Sequence, residues 1–568
     1  LGDRQAPQTF TDIGSGNAVE IDLGAEKDIS ELKLYLGSYN LAEDRILEIA
    51  YGDENGAEIA SNSVDSGAVF YWSEIPVNEE ARYIRLSTRN LHLTIMELGI
   101  MDSNGAYLTP INTNDPNVAP MFDEQALIPE RTTYLNSTYF DEIYHARTGY
   151  EFVHSLDVYE WTHPPLGKDL IALGIKIFGM TPFGWRFMGT LFGVLMIPVL
   201  YLFARRFLKY QWAAALTTIL FTFDFMHFAQ TRIATIDVYV TFFIMLMYYF
   251  MYRYYQMSFY DTPIRKTLIP LALSGISMGL GIASKWTGIY AGTGLGILFF
   301  MTLYKRYSEY LYAKQNPEGT TDGISHRHVI QSFIPNLRLT ILWCCIFFVF
   351  VPMMIYGLSY IPYLKAPSSH GIKTIIENQS AIYAYHSKTV VESTHPFSSR
   401  WYEWIIMRRP IWYYSGEISD TVKEGISAFG NPLVWWIGIP AFILMVYRAI
   451  TKKDKKAWFL IVAYVIQIVF WIPVTRTTFI YHYFPCVPFL TLMIGYCMQD
   501  IYDETEDTKI FGARMGKKQL AIILCCVYTA AAVGLFAMFY PVLSGAPCSV
   551  SYAQHWLKWF DSWVLLST

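Results

Sequence analysis

Ten apolar segments of near-bilayer length limit what this chain of 568 residues can become; they lie near 184–204, 212–229, 236–254, 268–284, 287–304, 337–358, 432–449, 457–473, 480–498 and 519–540. A helix of about twenty apolar residues crosses the hydrocarbon core, and only a helix or a closed barrel satisfies its backbone there. Composition agrees: 53% of residues are hydrophobic and 16% charged, where soluble domains carry roughly 25% charge. The segments predict a polytopic α-helical membrane protein. Net charge is -5 with no basic arm or stripe, which argues against nucleic-acid binding. The seven cysteines show no metal spacing, and six of them fall in or beside apolar segments; they read as small buried hydrophobes.

Alternate connections are basic: Arg205, Arg206 and Lys209; Arg253, Arg265 and Lys266; Lys305, Arg306 and Lys314; Lys452, Lys453, Lys455 and Lys456; Lys509, Arg514, Lys517 and Lys518. The positive-inside rule makes these cytoplasmic. The N-terminal region, the loop at 359–431 and the tail at 541–568 then lie outside a plasma membrane. The chain opens at Leu1 without a signal peptide. A folded outer domain needs a targeting segment, so the expectation is a missing first span, giving eleven, or a removed leader.

Residues 1–110 read differently. Val19 to Leu23 and Leu32 to Leu36 alternate apolar and polar residues, and Gly24 and Gly37 follow them. Further strands are expected at Leu47 to Tyr51, Val69 to Trp72, Arg82 to Leu86 and Met96 to Met101. Short alternating strands between turn residues predict an antiparallel β-sandwich. Its pattern resembles the discoidin-like, galactose-binding-like jelly rolls, which implies an extracytoplasmic domain able to contact a glycan.

Between this domain and the first apolar segment, residues 111–183 form a linker and an outer loop. They hold Asp141, Glu142 and His145, then Thr162-His163-Pro164-Pro165-Leu166-Gly167-Lys168. Two short amphipathic helices are expected, with Asp141 and His145 four residues apart on one face. The outer connections of the membrane regions 184–358 and 432–540 keep single cations, Arg232, Lys285 and Arg476. A cation on that side calls for a partner; for Arg232 the candidates are Asp237 and a lipid phosphate. The loop at 359–431 carries His395, Arg400 and Trp404 in an aromatic, charged run, and the last connection adds Tyr481 and His482. Such runs suit a headgroup-level surface or a sugar-stacking wall.

The ordered set Phe140-Asp141-Glu142, Thr162 to Lys168, Thr231 to Asp237, Gly279 to Trp286, His395 to Trp404 and Tyr481 to Pro485 resembles the bacterial protein O-mannosyltransferases of GT-C type. The resemblance covers residues 120–545. It implies transfer of mannose from a polyprenyl or dolichyl phosphate to Ser or Thr hydroxyls of a polypeptide, with inversion. The loop at 359–431 has no room for the β-trefoil module of eukaryotic members, and a sandwich before the Asp-Glu motif is atypical.

A lipid phosphate is already a good leaving group, so the chemistry needs a base and positive charge on the phosphate. Asp141 is assigned as base, with Glu142 beside it in the catalytic pair. Arg232 is the first choice for the phosphate and Arg476 and Lys285 the second. His163, Lys168, His395, Arg400, Trp404, Tyr481 and His482 are assigned to positioning donor or acceptor. No Asp-x-Asp pair is present to hold a divalent ion, so neither metal nor cofactor is expected, the lipid-linked sugar being a co-substrate. Two rivals remain: a related transferase acting on a lipid or wall glycan, and a membrane-anchored glycan-binding protein.

Overall fold

The computed structural model describes residues 1–38, 46–65, 67–89, 92–388, 395–506 and 516–567. Lys509 and Arg514 of the last basic connection lie outside these residues. The chain forms two compact units, one of Leu1–Glu160, Lys168–Met188 and Lys365–Ser369, the other of Trp161–Gly167, Gly189–Leu364 and His370–Thr568.

The first unit opens with six strands: β1 (Thr11–Gly14), β2 (Ala18–Leu36), β3 (Ile46–Gly52), β4 (Glu58–Asp65), β5 (Trp72–Thr88) and β6 (His92–Met101). They pair antiparallel in the order β1-β6-β2-β5-β3-β4. Alternation drives this sheet: Leu32, Leu34 and Leu36 are buried on one face of β2. On the other face Tyr35 packs 4.9 Å from Trp72, and Lys33 donates to the carbonyls of Pro129 and Glu130 at 2.9 and 2.6 Å.

Three strand expectations need correction. The two runs at 19–23 and 32–36 are one strand, β2. Gly24 adopts φ +81° inside it, and the register with β5 jumps between Asp22 and Lys27; a glycine in this region bends a strand rather than ending it. The expected strand at Val69 to Trp72 contributes only Trp72, because Phe70 turns at φ +54°. Strands β1 and β4 were not anticipated; β4 is an edge strand rich in polar residues, the composition that protects an edge and hides the apolar alternation.

The two amphipathic helices expected in the following loop are present as α1 (Glu142–His154) and α2 (Leu166–Phe178). Every expected apolar segment then falls on helix: α3 (Pro182–Phe207), α4 (Gln211–Thr222) with α5 (Phe225–Gln230), α6 (Asp237–Tyr255), α7 (Ile264–Ser284), α8 (Thr287–Gln315), α9 (His326–Ser359), then Pro432–Thr451, Lys455–Val469, Ile480–Glu504 and Lys517–Ser544. Among the described residues, 7 helices are long and apolar enough to cross a membrane: α3, α7, α8, α9, Pro432–Thr451, Ile480–Glu504 and Lys517–Ser544. This is a multi-pass membrane protein.

The segment expected at 212–229 is broken. Asp224 ends α4 and caps α5, accepting from the amides of Met226 and His227 at 3.1 and 3.3 Å. Its second oxygen takes the Asn431 amide at 3.0 Å and the Trp435 indole N–H at 3.1 Å. A buried carboxylate with four donors satisfies both the freed helix end and itself.

Candidate active site

In the first unit Phe140 stands at φ +50°, an uncommon conformation for an aromatic residue. The two carboxylates that follow it differ in setting. Asp141 is the N-cap residue of α1 and is half-buried. Glu142 is fully buried: the Arg186 Nε and Nη2 groups reach its two oxygens at 2.7 and 2.6 Å, and the Trp185 indole and Tyr139 amide add donors at 3.3 Å. Arg186 spends its remaining N–H groups on the carbonyls of Leu1, Tyr134 and Ser137. Lys168, also wholly buried, donates to the Glu160 carboxylate at 2.6 Å.

In the second unit Lys285 follows α7 and Arg476 lies in the loop before Ile480–Glu504. Both line a cavity of about 600 Å³ with His163, Trp286, Tyr290 and His386. Lys285 is paired with Asp237 at 2.8 Å, each side chain 9% exposed. Arg476 donates to the Thr477 carbonyl at 3.2 Å and stands 5.8 Å from the Trp471 ring centre. Burial pushes its pKa down. Among the described residues, none that lines this cavity is a carboxylate. A guanidinium held this way suits a phosphate oxygen, since it can bind in bidentate fashion and is less strongly hydrated than an ammonium.

Arg232 lies elsewhere. Its Nη1 and Nη2 donate to the carbonyls of Leu543 and Ser544 at 3.1 and 3.0 Å, at the C-terminal end of Lys517–Ser544. A cation there satisfies orphan carbonyls and opposes the negative end of the helix dipole. Asp237, one of the two candidate partners for Arg232, pairs with Lys285.

The segment carrying His163 is held by helix α10 (Ile372–Ser387). Asn378 donates to the Trp161 carbonyl at 2.9 Å and the His386 Nε2 lies 3.0 Å from the Thr162 carbonyl. The rings of His163 and His386 are 5.1 Å apart. A further chain of hydrogen bonds joins this helix to the cavity wall: Trp286 to Tyr356, Tyr356 to Gln379, Gln379 to Tyr360 and Tyr360 to Asn378. Burial, with His163, Arg476 and Lys285 adding to it, depresses the His386 pKa to about 3. The sequence reading missed His386; its signal is spacing, since Asn378, Ile382 and His386 recur every fourth residue and share a helix face.

Arg476 also borders a second, polar cavity of about 520 Å³, walled by His395, Ser399, Arg400 and Glu403. Ser399 and Thr478 zip two extended segments together: the Ser399 amide donates to the Thr478 carbonyl at 2.8 Å, and the Thr478 hydroxyl returns a 2.7 Å bond. Trp404 donates its indole N–H to the Ser399 carbonyl at 3.1 Å. Its ring stacks 5.7 Å from His482, which in turn stacks on Tyr481 at 4.6 Å. Of the residues singled out by sequence, the second unit therefore gathers His163, Lys285 and Arg476 on one cavity and His395, Arg400 and Arg476 on its neighbour, with Trp404, Tyr481 and His482 in an aromatic stack.

The solved structure of the Saccharomyces cerevisiae protein O-mannosyltransferase complex bound to its sugar donor superposes with a TM-score of 0.60 at 14% identity, over 75% of this chain and 89% of that one. The architecture is a GT-C-like membrane fold. Residues 130–362 match the family model for dolichyl-phosphate-mannose-protein mannosyltransferase, and residues 372–563 match that for the C-terminal four-span region of protein-O-mannosyltransferase. Polyprenol-phosphate-mannose–protein mannosyltransferases from Mycolicibacterium smegmatis and Corynebacterium glutamicum are 24% and 23% identical, each over 80% of this chain and 90% of theirs. The chain belongs to the protein O-mannosyltransferase family.

Proposed function

We propose that this membrane glycosyltransferase moves mannose from a polyprenyl-phosphate carrier to Ser or Thr hydroxyls of polypeptides on the outer face of the plasma membrane. The observation that carries the reading is Arg476, a half-buried guanidinium on a cavity whose lining, among the described residues, includes no carboxylate. An anionic leaving group in that cavity supplies the missing counter-charge. Family membership supports the donor and acceptor classes.

In this mechanism the bond between the anomeric carbon and the phosphate oxygen breaks as the acceptor hydroxyl attacks from the opposite face. The anomeric centre inverts, the phosphate leaves with its charge held by Arg476 and Lys285, and the hydroxyl proton passes to a carboxylate base, the role that the sequence assigns to Asp141. Glu142, enclosed by Arg186, acts as a positioning residue that fixes the start of α1. Charge on the phosphate comes from side chains, so the reaction proceeds without a metal. Purified protein with labelled polyprenyl-phosphate mannose and a Ser/Thr-rich peptide tests this: labelled peptide is expected, with activity retained in a chelator. Label appearing only on lipid or glycan acceptors would overturn the peptide assignment.

A further inference from the structure

We infer that the polar cavity beside the donor cavity receives an acidic side chain flanking the target Ser or Thr of the acceptor, with Arg400 selecting it; this rests on the proposed polypeptide acceptor. The two cavities share Thr475 and Arg476, so a chain seated in the polar one lies next to the site proposed for the sugar phosphate. Its wall is rich in donors. Hydroxyl side chains of two segments, 398–399 and 475–478, form much of it, and Arg400 and Arg476 add guanidinium groups. The His395 Nδ1 accepts the Phe397 amide at 3.2 Å, which leaves Nε2 to carry the proton of the neutral ring. Glu403 is the only carboxylate among the described lining residues, and its charge is already answered. It accepts from the Arg400 amide at 2.8 Å and the Arg408 Nη1 at 2.9 Å. A donor-lined cavity of positive balance calls for an anion.

Ser399 points the same way. It is 5% exposed, and its hydroxyl has no hydrogen-bond partner among the described residues, although its amide and its carbonyl are both paired. A buried hydroxyl left in that state costs free energy until a ligand meets it. Pro396 is the only apolar residue among those described in the lining, so the cavity offers no wall along which an acyl or isoprenoid chain could lie. That favours a carboxylate carried by a polypeptide over a lipid headgroup. Complementary charge of this kind sets which partner is accepted more than how tightly it is held.

The test uses the full chain in nanodiscs of zwitterionic lipid, with polyprenyl-phosphate mannose and peptides that hold a single Thr. An Asp, or Asn in its place, is set in turn at each neighbouring position. At the best position kcat/KM for the Asp peptide should exceed that for the Asn peptide about fivefold, the upper range for an ion pair with an exposed partner. Arg400 is exposed, so folding is not at stake when it is replaced. Arg400→Gln should erase the preference, and Arg400→Glu should turn it toward a Lys peptide. Ser399→Ala, which removes an unsatisfied hydroxyl, should keep or raise the Tm and increase KM for the Asp peptide. No preference at any position overturns the inference, as does a preference that survives both Arg400 variants, because the charge is then read elsewhere. So does a lowered Tm with unaltered KM in Ser399→Ala, which would make the hydroxyl part of the fold. A preference lost on adding phosphatidylglycerol to the nanodiscs gives the cavity to a lipid headgroup and also overturns it. Labelling of no peptide at all overturns instead the polypeptide acceptor of the proposed function.

Discussion

Asp237 and Lys285 meet at 2.8 Å with both side chains nearly buried, so the cavity lined by Lys285 and Arg476 has one cation neutralised by the protein. A buried pair loses more when one partner is removed than the pair contributes, because the survivor is left as an unpaired charge. Asp237→Asn should therefore cost about 3–5 kcal/mol, read as a lowered Tm in detergent, and Asp237→Asn with Lys285→Met should recover much of it. A stability loss in the double variant at least as large as in the single one contradicts the pairing.

Asp141 and Glu142 are adjacent in sequence and opposite in setting. Asp141→Asn should keep the Tm and lower kcat by roughly 10²–10⁴, as expected for loss of a base. Glu142→Gln leaves Arg186 without its counter-charge, so the Tm should drop before any kinetic effect is read. Full turnover in Asp141→Asn would remove it from the role.

His386 carries a pH prediction. Its folded-state pKa is depressed to about 3 from 6.5, so in that window the unfolded chain binds a proton that the folded chain excludes. Stability from this residue is then complete above about 6.5 and is lost as pH falls toward 3. His386→Gln, which keeps a donor for the Thr162 carbonyl, should flatten the acid-side fall in Tm. Melting curves from pH 7 to pH 4 that run parallel in the two proteins would contradict this.

Much of the membrane region was legible because a twenty-residue apolar run has one structural outcome in lipid. Lys285 and Arg476 were legible for a related reason: a lone cation at a membrane boundary stands out against its surroundings. What the sequence could not supply was pairing across long separations. Arg232 ranked ahead of Arg476 in the sequence, yet its guanidinium meets carbonyls 311 and 312 residues away, and nothing in the local sequence distinguishes a helix cap from a phosphate ligand. The same holds for Arg186, whose partner Glu142 lies 44 residues earlier. Local pattern also misjudged β2, where Gly24 looks like a stop and is a bend. His386 carried only the weak signal of four-residue spacing with Asn378 and Ile382, and its contact with Thr162 is made by folding across 224 residues.

Binding of sugar-free polyprenyl phosphate to Arg476→Ala and Arg232→Ala, measured side by side, tests the central claim most directly. Charge-assisted contacts are worth about 1.5–3 kcal/mol each, so Arg476→Ala should weaken binding by roughly ten- to a hundredfold, with Arg476→Lys intermediate. Arg232→Ala should bind as the unaltered protein does, after allowance for any loss of folded fraction. Normal affinity in Arg476→Ala, with binding lost in folded Arg232→Ala, would contradict the account and return the phosphate to Arg232.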